Sequence, residues 1–314
     1  MIDTEIQRGL QKIETKLQTV VNSDVALLQE AGLHIITSGG KRLRPRMALL
    51  SYLAAGGKNI DEVVPMAAAV EMVHTATLVH DDINDHSVTR RGKVTVHAKY
   101  GRTFALLTGD YLFTKVYEMM APYGAEINVI MADATTSLVE GETLQAAAAK
   151  SGEMDRETYK SVISRKTASL FEAAARMGAM LAGGSAEIVE SLASYAYNLG
   201  LTFQIVDDIL DIIGDPETMG KPVGADLAQN RGVMAVQNGG VAEMTDTATA
   251  VATAEMDPVA QMMANLRESG AVEIARMQAH EMAERARQAL QPVAPSAART
   301  ELADLIELVI NRDK

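Results

Sequence analysis

Over residues 3–37 apolar and polar positions recur at helical spacing, without the two-residue β-branched alternation of a strand. This stretch reads as two helices broken near Asn22-Ser23-Asp24, where Ser23 or Asp24 can cap the second. The same pattern predicts helices over 45–55, 61–84, 101–121, 125–149, 155–183 and 186–213. Three more follow over 258–268, 270–291 and 297–312, divided by Gly270 and by Pro292 to Pro295. Between Gly239 and Asp257 the sequence turns to Ala, Thr, Met and Glu, as in a loose connection or a weak helix. Two of these helices end alike. The run Met66 to Val79, with only Glu71, His74, Thr75 and Thr77 as polar breaks, leads into Asp81, Asp82 and Asp85; the run closing at Val206 leads into Asp207, Asp208 and Asp211.

Composition narrows the setting. With 314 residues and 47% hydrophobic content, the chain has enough apolar material to close around one core, so a single all-α domain over 1–314 is expected. No run approaches the length of a membrane span, and Met1 to Arg8 lacks the layout of a signal peptide, which points to a cytoplasmic protein without a transmembrane segment. The absence of cysteine excludes disulfides, thiolate catalysis and zinc–cysteine sites. A net charge of −12 argues against nucleic acid or an anionic membrane as partner. Against that background, local clusters of cations carry more information.

On a helix, Asp81 and Asp85 are i and i+4, so their carboxylates leave the same face and repel unless a cation lies between them. Arg90 and Arg91 follow within about one turn of loop, beyond the expected helix end, which is read at Gly92, and must point somewhere of their own. Hard oxygen ligands suit Mg²⁺, which is commonly held by one or two carboxylates and filled out by water and substrate phosphates. The repeat at Asp207 and Asp211 is closed by Asp215-Pro216 and Gly220-Lys221-Pro222, with Asp226 and Arg231 beyond. Gathering so many carboxylates costs several kcal/mol of repulsion unless divalent metal neutralises them. Upstream, Gly39-Gly40-Lys41-Arg42-Leu43-Arg44-Pro45-Arg46 sets cations beside a helix N-terminus, an anion site in form, with Pro45 as the first helical residue. Arg165-Lys166-Thr167 interrupts an otherwise apolar helix face. There is no glycine-rich loop after a strand, hence no P-loop or Rossmann unit. Phosphate held by aspartate-bound metal inside an apolar helical bundle suits a greasy substrate that ionises away from water.

Taken in order, the box at 39–45, the first aspartate motif with Arg90-Arg91-Gly92, the second motif at 207–211 and Gly220-Lys221-Pro222 resemble the trans-isoprenyl diphosphate synthases, or polyprenyl synthetases. The resemblance implies an all-α, single-domain orthogonal helical bundle of the isoprenoid synthase type around a central cavity. It implies that Asp81, Asp85, Asp207 and Asp211 hold Mg²⁺, three ions with the allylic diphosphate bound, and that Asp82 and Asp208 support them. Arg90, Lys166, Thr167, Gln204 and Lys221 would contact that diphosphate, while Lys41, Arg44, His74 and Arg91 would hold isopentenyl diphosphate. Arg231 stands where the family often has lysine, and Val233-Met234-Ala235 where Thr-Leu-Pro is usual. The implied activity is head-to-tail prenyl transfer by a homodimer. A small partner subunit for long products is an alternative.

Product length has its own signal. Ala76 and Thr77, one turn and a little more before Asp81, are the first floor available to a growing chain, and both are small. No aromatic occurs from Asp61 to Lys99 or in 125–149, so a deeper floor would be aliphatic, at Met131 or Leu138, and the expected product is longer than C20. Other readings remain. His80-Asp81 fits the metal dipeptide of an HD-type phosphohydrolase with His34 or His74 as further ligands, a partner subunit need not be catalytic, and a terpene cyclase would leave the 39–45 box and Arg91 unused.

Overall fold

The computed structural model describes residues 2–213, 263 and 266–312. Those residues are overwhelmingly helical, as the periodicity predicts. The helices are α1 (Ile2–Val20), α2 (Ala26–Ile36), α3 (Leu43–Ala54), α4 (Val64–Asn84), α5 (Val96–Tyr100), α6 (Arg102–Met120), α7 (Ala125–Ser151), α8 (Arg156–Ile163), α9 (Ser169–Leu181), α10 (Ala186–Ile213), α11 (Ala271–Ala289) and α12 (Ala297–Ile310). A short antiparallel hairpin, β1 (Thr89–Arg90) with β2 (Lys93–Val94), pairs Thr89 with Val94 and Arg90 with Lys93. Gly220-Lys221-Pro222, Asp226, Arg231, the 239–257 stretch and most of the helix expected over 258–268 lie outside the described residues.

Some boundaries differ from expectation for identifiable reasons. Helix α2 starts after Val25 with no side-chain cap; Ser23 Oγ instead accepts the Val25 N–H at 3.1 Å and closes the turn before it. Helix α3 begins ahead of Pro45, at Leu43, with Arg42 as a left-handed N-cap at φ 48°. Proline is tolerated there because first-turn N–H groups have no intrahelical acceptor. The helix expected over 155–183 is interrupted by a π turn at Ser164–Ala168, which carries Arg165, Lys166 and Thr167. Such single-turn π insertions occur frequently at functional sites.

Contacts divide the chain into two units. The first comprises Met1–Thr135, Leu170–Ala196 and Ala289–Asp304, and the second Thr136–Ser169, Tyr197–Gln288 and Leu305–Lys314. Within the first, α4 is apolar on nearly every face, which marks a helix surrounded by others. Helices α6, α1 and α3 pack against it, and Ala67, Ala68, Ala69 and Ala76 are wholly buried. Its methionines and valines each contribute about 1.5–3 kcal/mol on burial. Gly109 lets α6 come close, since a Cβ there would collide with the His80 ring.

The second unit is built on the end of α10, whose Val206, Ile209 and Leu210 pack with Tyr159 and Ile163 of α8 and with Ala275 and Ala279 of α11. Here too a glycine sets an approach: a Cβ on Gly141 of α7 would lie 2.6 Å from the Lys166 backbone nitrogen, so α7 backs directly onto the π turn.

Candidate active site

At the end of α4 the Asp85 N–H donates to the Asp81 carbonyl at 2.8 Å, so the two aspartates occupy one closing turn, as their spacing predicts. The helix stops at Asn84, well before Gly92. Arg91 at φ 52° and Gly92 at φ 73° are the central residues of the β1–β2 turn. Positive φ at both is the signature of the type I′ hairpin. This turn sends Arg90 back to α4, where its Nε donates to Asp82 Oδ1 at 2.7 Å. Asp82 is fully buried, and that burial pushes its carboxyl pKa up against the opposing pull of Arg90. Its Oδ2 is buried with no hydrogen-bond partner.

The cations of the 39–46 box are sorted by their partners. Arg42 is a structural staple: it pairs with Glu14 at 3.0 Å and with buried Glu71 at 2.7 Å, and donates to the Ile36 carbonyl. Arg46 pairs with Glu301 at 2.9 Å. Arg44 instead lies over the Phe171 ring, 4.7 Å from its centroid, with a buried Nε that lacks a partner. Burial lowers its pKa to about 10, Glu71 pulling back up and Arg91 adding to the fall. Arg91 donates to the Gly39 carbonyl. His74 sits among these groups; desolvation first, then the charges of Arg44, Arg91, Arg90 and Arg42, hold its imidazole well below the usual histidine range. Arg44, His74 and Arg91, singled out from the sequence, therefore share one neighbourhood, beside the box that carries Lys41. An unpartnered buried guanidinium nitrogen among like charges is a place that an anion satisfies.

In the second unit, Lys166 of the π turn forms an ion pair with Glu142 and donates to Gln145 Oε1 at 2.7 Å, both on α7. Thr167 Oγ donates to Gln204 Oε1 at 2.8 Å, and Gln204 Nε2 to Asp208 Oδ1 at 2.9 Å. The Tyr159 hydroxyl donates to the other oxygen, Asp208 Oδ2, at 2.8 Å. Asp208 and Asp211 are buried, and Asp207 is half-buried and paired with Arg312 at 2.9 Å. Sequence reasoning gives no role to Glu71, Glu142, Gln145, Tyr159 or Arg312. A glutamate inside an apolar run was a visible signal for Glu71, whereas the others gain meaning from tertiary placement alone.

Among the described residues no group of three or more His, Asp or Glu side chains converges on one metal position. The aspartate pairs still fit Mg²⁺: the donors are hard oxygens at helix ends, and a magnesium ion takes water and phosphate oxygens for its other positions. The chemistry of an HD-type hydrolase fits poorly. His80 lies against α6, 3.6 Å from Asp110, and His34 Nε2 contacts the Val94 carbonyl at 2.7 Å, so both are engaged elsewhere.

A mainly helical scaffold with aspartate-rich helix ends, one beside an arginine cluster and one beside a lysine-bearing π turn, has the donor chemistry that suits anionic ligands and divalent cations. Comparisons narrow the range. Residues 25–261 match the family model described as polyprenyl synthetase. Octaprenyl diphosphate synthase of Escherichia coli (strain K12) is 36% identical over 303 residues, covering 94% of this chain and 93% of that protein. Heptaprenyl diphosphate synthase component 2 of Geobacillus stearothermophilus is 38% identical over 256 residues, covering 81% and 79%. The crystal structure of polyprenyl synthase from Caulobacter crescentus CB15, complexed with calcium and isoprenyl diphosphate, superposes with a TM-score of 0.88 at 32% identity, covering 98% and 96%. The chain belongs to the polyprenyl synthetase family and has its helical isoprenoid synthase fold: it is a prenyltransferase, a trans-polyprenyl diphosphate synthase.

Proposed function

We propose that the chain condenses an allylic prenyl diphosphate with isopentenyl diphosphate, head to tail and all-trans, in a Mg²⁺-dependent reaction whose product is longer than C20. The observation that carries this reading is the clustering of Arg44, His74 and Arg91, beside the Asp81 end of α4 and against the 39–46 box. A diphosphate bound there would satisfy Arg44 and leave its isoprene unit next to the aspartates.

In this reading Asp81 and Asp85, with Asp207 and Asp211, hold up to three Mg²⁺ around the allylic diphosphate. When bound, the ions neutralise its oxygens and make it a good leaving group. Arg90, Lys166, Thr167, Gln204 and Lys221 orient the same group, with Arg231 as a further contact, and Asp82 fixes Arg90. Lys41, Arg44, Arg91 and neutral His74 hold isopentenyl diphosphate. The allylic C–O bond breaks, the isopentenyl double bond forms the new C–C bond to the cation, and the proton then lost passes to the departing diphosphate. Apolar helix faces keep water from the cation.

A product beyond C20 is supported by the small residues Ala76 and Thr77 and by the octaprenyl and heptaprenyl names of two relatives. The chain is proposed to work in the cytoplasm as a homodimer, and exposed Phe104, Leu107 and Tyr117 on α6 offer apolar surface for a second copy. No helix among the described residues is long and apolar enough to cross a membrane. The name component 2 borne by one relative favours a second reading, in which a small partner subunit is needed for long products.

Incubating the purified chain with Mg²⁺, labelled isopentenyl diphosphate and a series of allylic primers, followed by sizing of the product, tests the proposal. A polyprenyl diphosphate beyond C20 from the chain alone is expected. Products that stop at or below C20 overturn the length assignment, and no transfer from any primer overturns autonomous catalysis.

A further inference from the structure

The side chain of Arg312, beyond α12, is 8% exposed, and its guanidinium is turned onto the second aspartate motif. Its Nη2 donates to Asp207 Oδ1 at 2.9 Å and to the Phe203 carbonyl at 2.9 Å, while its Cζ lies 4.1 Å from the Phe203 ring centroid. Phe203 and Asp207 are i and i+4 on α10, so one guanidinium spans a full helical turn and ends on a carboxylate. That carboxylate keeps 39% exposure.

We propose that Arg312 is a positioning residue for the divalent cation held by Asp207. The inference rests on the reading of Asp207 as a metal ligand. A carboxylate offers about four lone-pair positions, so one hydrogen bond to Oδ1 fixes the rotamer and leaves Oδ2 for the cation. Holding a ligand by an outer hydrogen bond is how metal sites are commonly oriented, and loss of such a partner typically lowers metal affinity about 10–100-fold. Packing alone does not call for this residue. An apolar side chain would cover Phe203 as well, and a largely buried charge is costly unless it is paired.

The test is Mn²⁺ binding to the full chain in the presence of inorganic pyrophosphate, followed by electron paramagnetic resonance, for wild type, Arg312→Met, Arg312→Lys and Asp207→Asn. Thermal midpoints are read in parallel in chelator. Methionine keeps the stem on Phe203. Arg312→Met is expected to bind Mn²⁺ about 10–100-fold more weakly, with Arg312→Lys in between and Asp207→Asn at least as weak as Arg312→Met. Wild-type or tighter binding by Arg312→Met, with binding lost in Asp207→Asn, overturns the positioning role and leaves the metal site standing. Unchanged binding in Asp207→Asn overturns the metal reading itself. If Arg312→Met melts in chelator below the assay temperature, Arg312→Lys decides, since it keeps the charge without the fork: weakened binding supports the role and unchanged binding overturns it.

Discussion

Gly40 and Arg91 interlock: a Cβ on Gly40 would lie 2.6 Å from Arg91 Nη1, and the Gly40 backbone is at φ 150°. A side chain on Gly40 would have to displace the Arg91 guanidinium from the box. Gly40→Ala is therefore expected to push Arg91 out of place and to raise KM for isopentenyl diphosphate about tenfold, equivalent to one lost charge-assisted contact. KM for the allylic primer should move little. Steady-state kinetics with each substrate varied in turn checks this, and an unchanged KM for isopentenyl diphosphate contradicts it.

Much of the fold was legible because helices announce themselves by period. The acidic ends of α4 and α10 were legible for the same reason, since i and i+4 aspartates closing an apolar run form a pattern within one element. What escaped depends on contacts between elements. Nothing local says that Arg42 is consumed by Glu14 and Glu71 while Arg44 keeps an unpartnered nitrogen. Nor does the sequence show that Gly141 draws α7 against Lys166, or that the helix over 155–183 takes a π turn there. The hairpin at Arg90 leaves no mark in the sequence because strands this short carry no period.

Ala76 is fully buried and Thr77 nearly so, with Thr77 Oγ turned back onto the His74 carbonyl at 2.8 Å. Ala76→Phe is expected to shorten the product by setting an aromatic floor one turn from Asp81. Overpacking should cost about 1–3 kcal/mol, so chain length by mass spectrometry is read beside the thermal midpoint. A folded variant whose product keeps wild-type length contradicts the prediction.

His74 supplies a pH signature. An unfolded histidine titrates near pH 6.5, whereas the folded imidazole does so well below that value because burial and the surrounding arginines disfavour its cation. Between those two values the unfolded chain binds a proton that the folded chain refuses. Stability from this group is therefore full above pH 6.5 and falls as pH drops through it. Thermal midpoints at pH 7.5 and 5.5 should differ more in wild type than in His74→Gln. An equal fall in both contradicts the assignment.

Tyr159 donates to Asp208 Oδ2 inside the second unit. Tyr159→Phe removes that donor from a buried carboxylate, which should cost about 1–3 kcal/mol in urea unfolding. A variant as stable as wild type would mean that Asp208 finds another donor.

The central claim, that the aspartates of both motifs serve one prenyl transfer, is tested most directly by turnover of labelled isopentenyl diphosphate in Asp81→Ala and Asp207→Ala at saturating Mg²⁺. Losing several kcal/mol of charge stabilisation corresponds to a fall of about 1,000-fold in each variant. Near-wild-type turnover in either one, with its fold intact, would contradict the account.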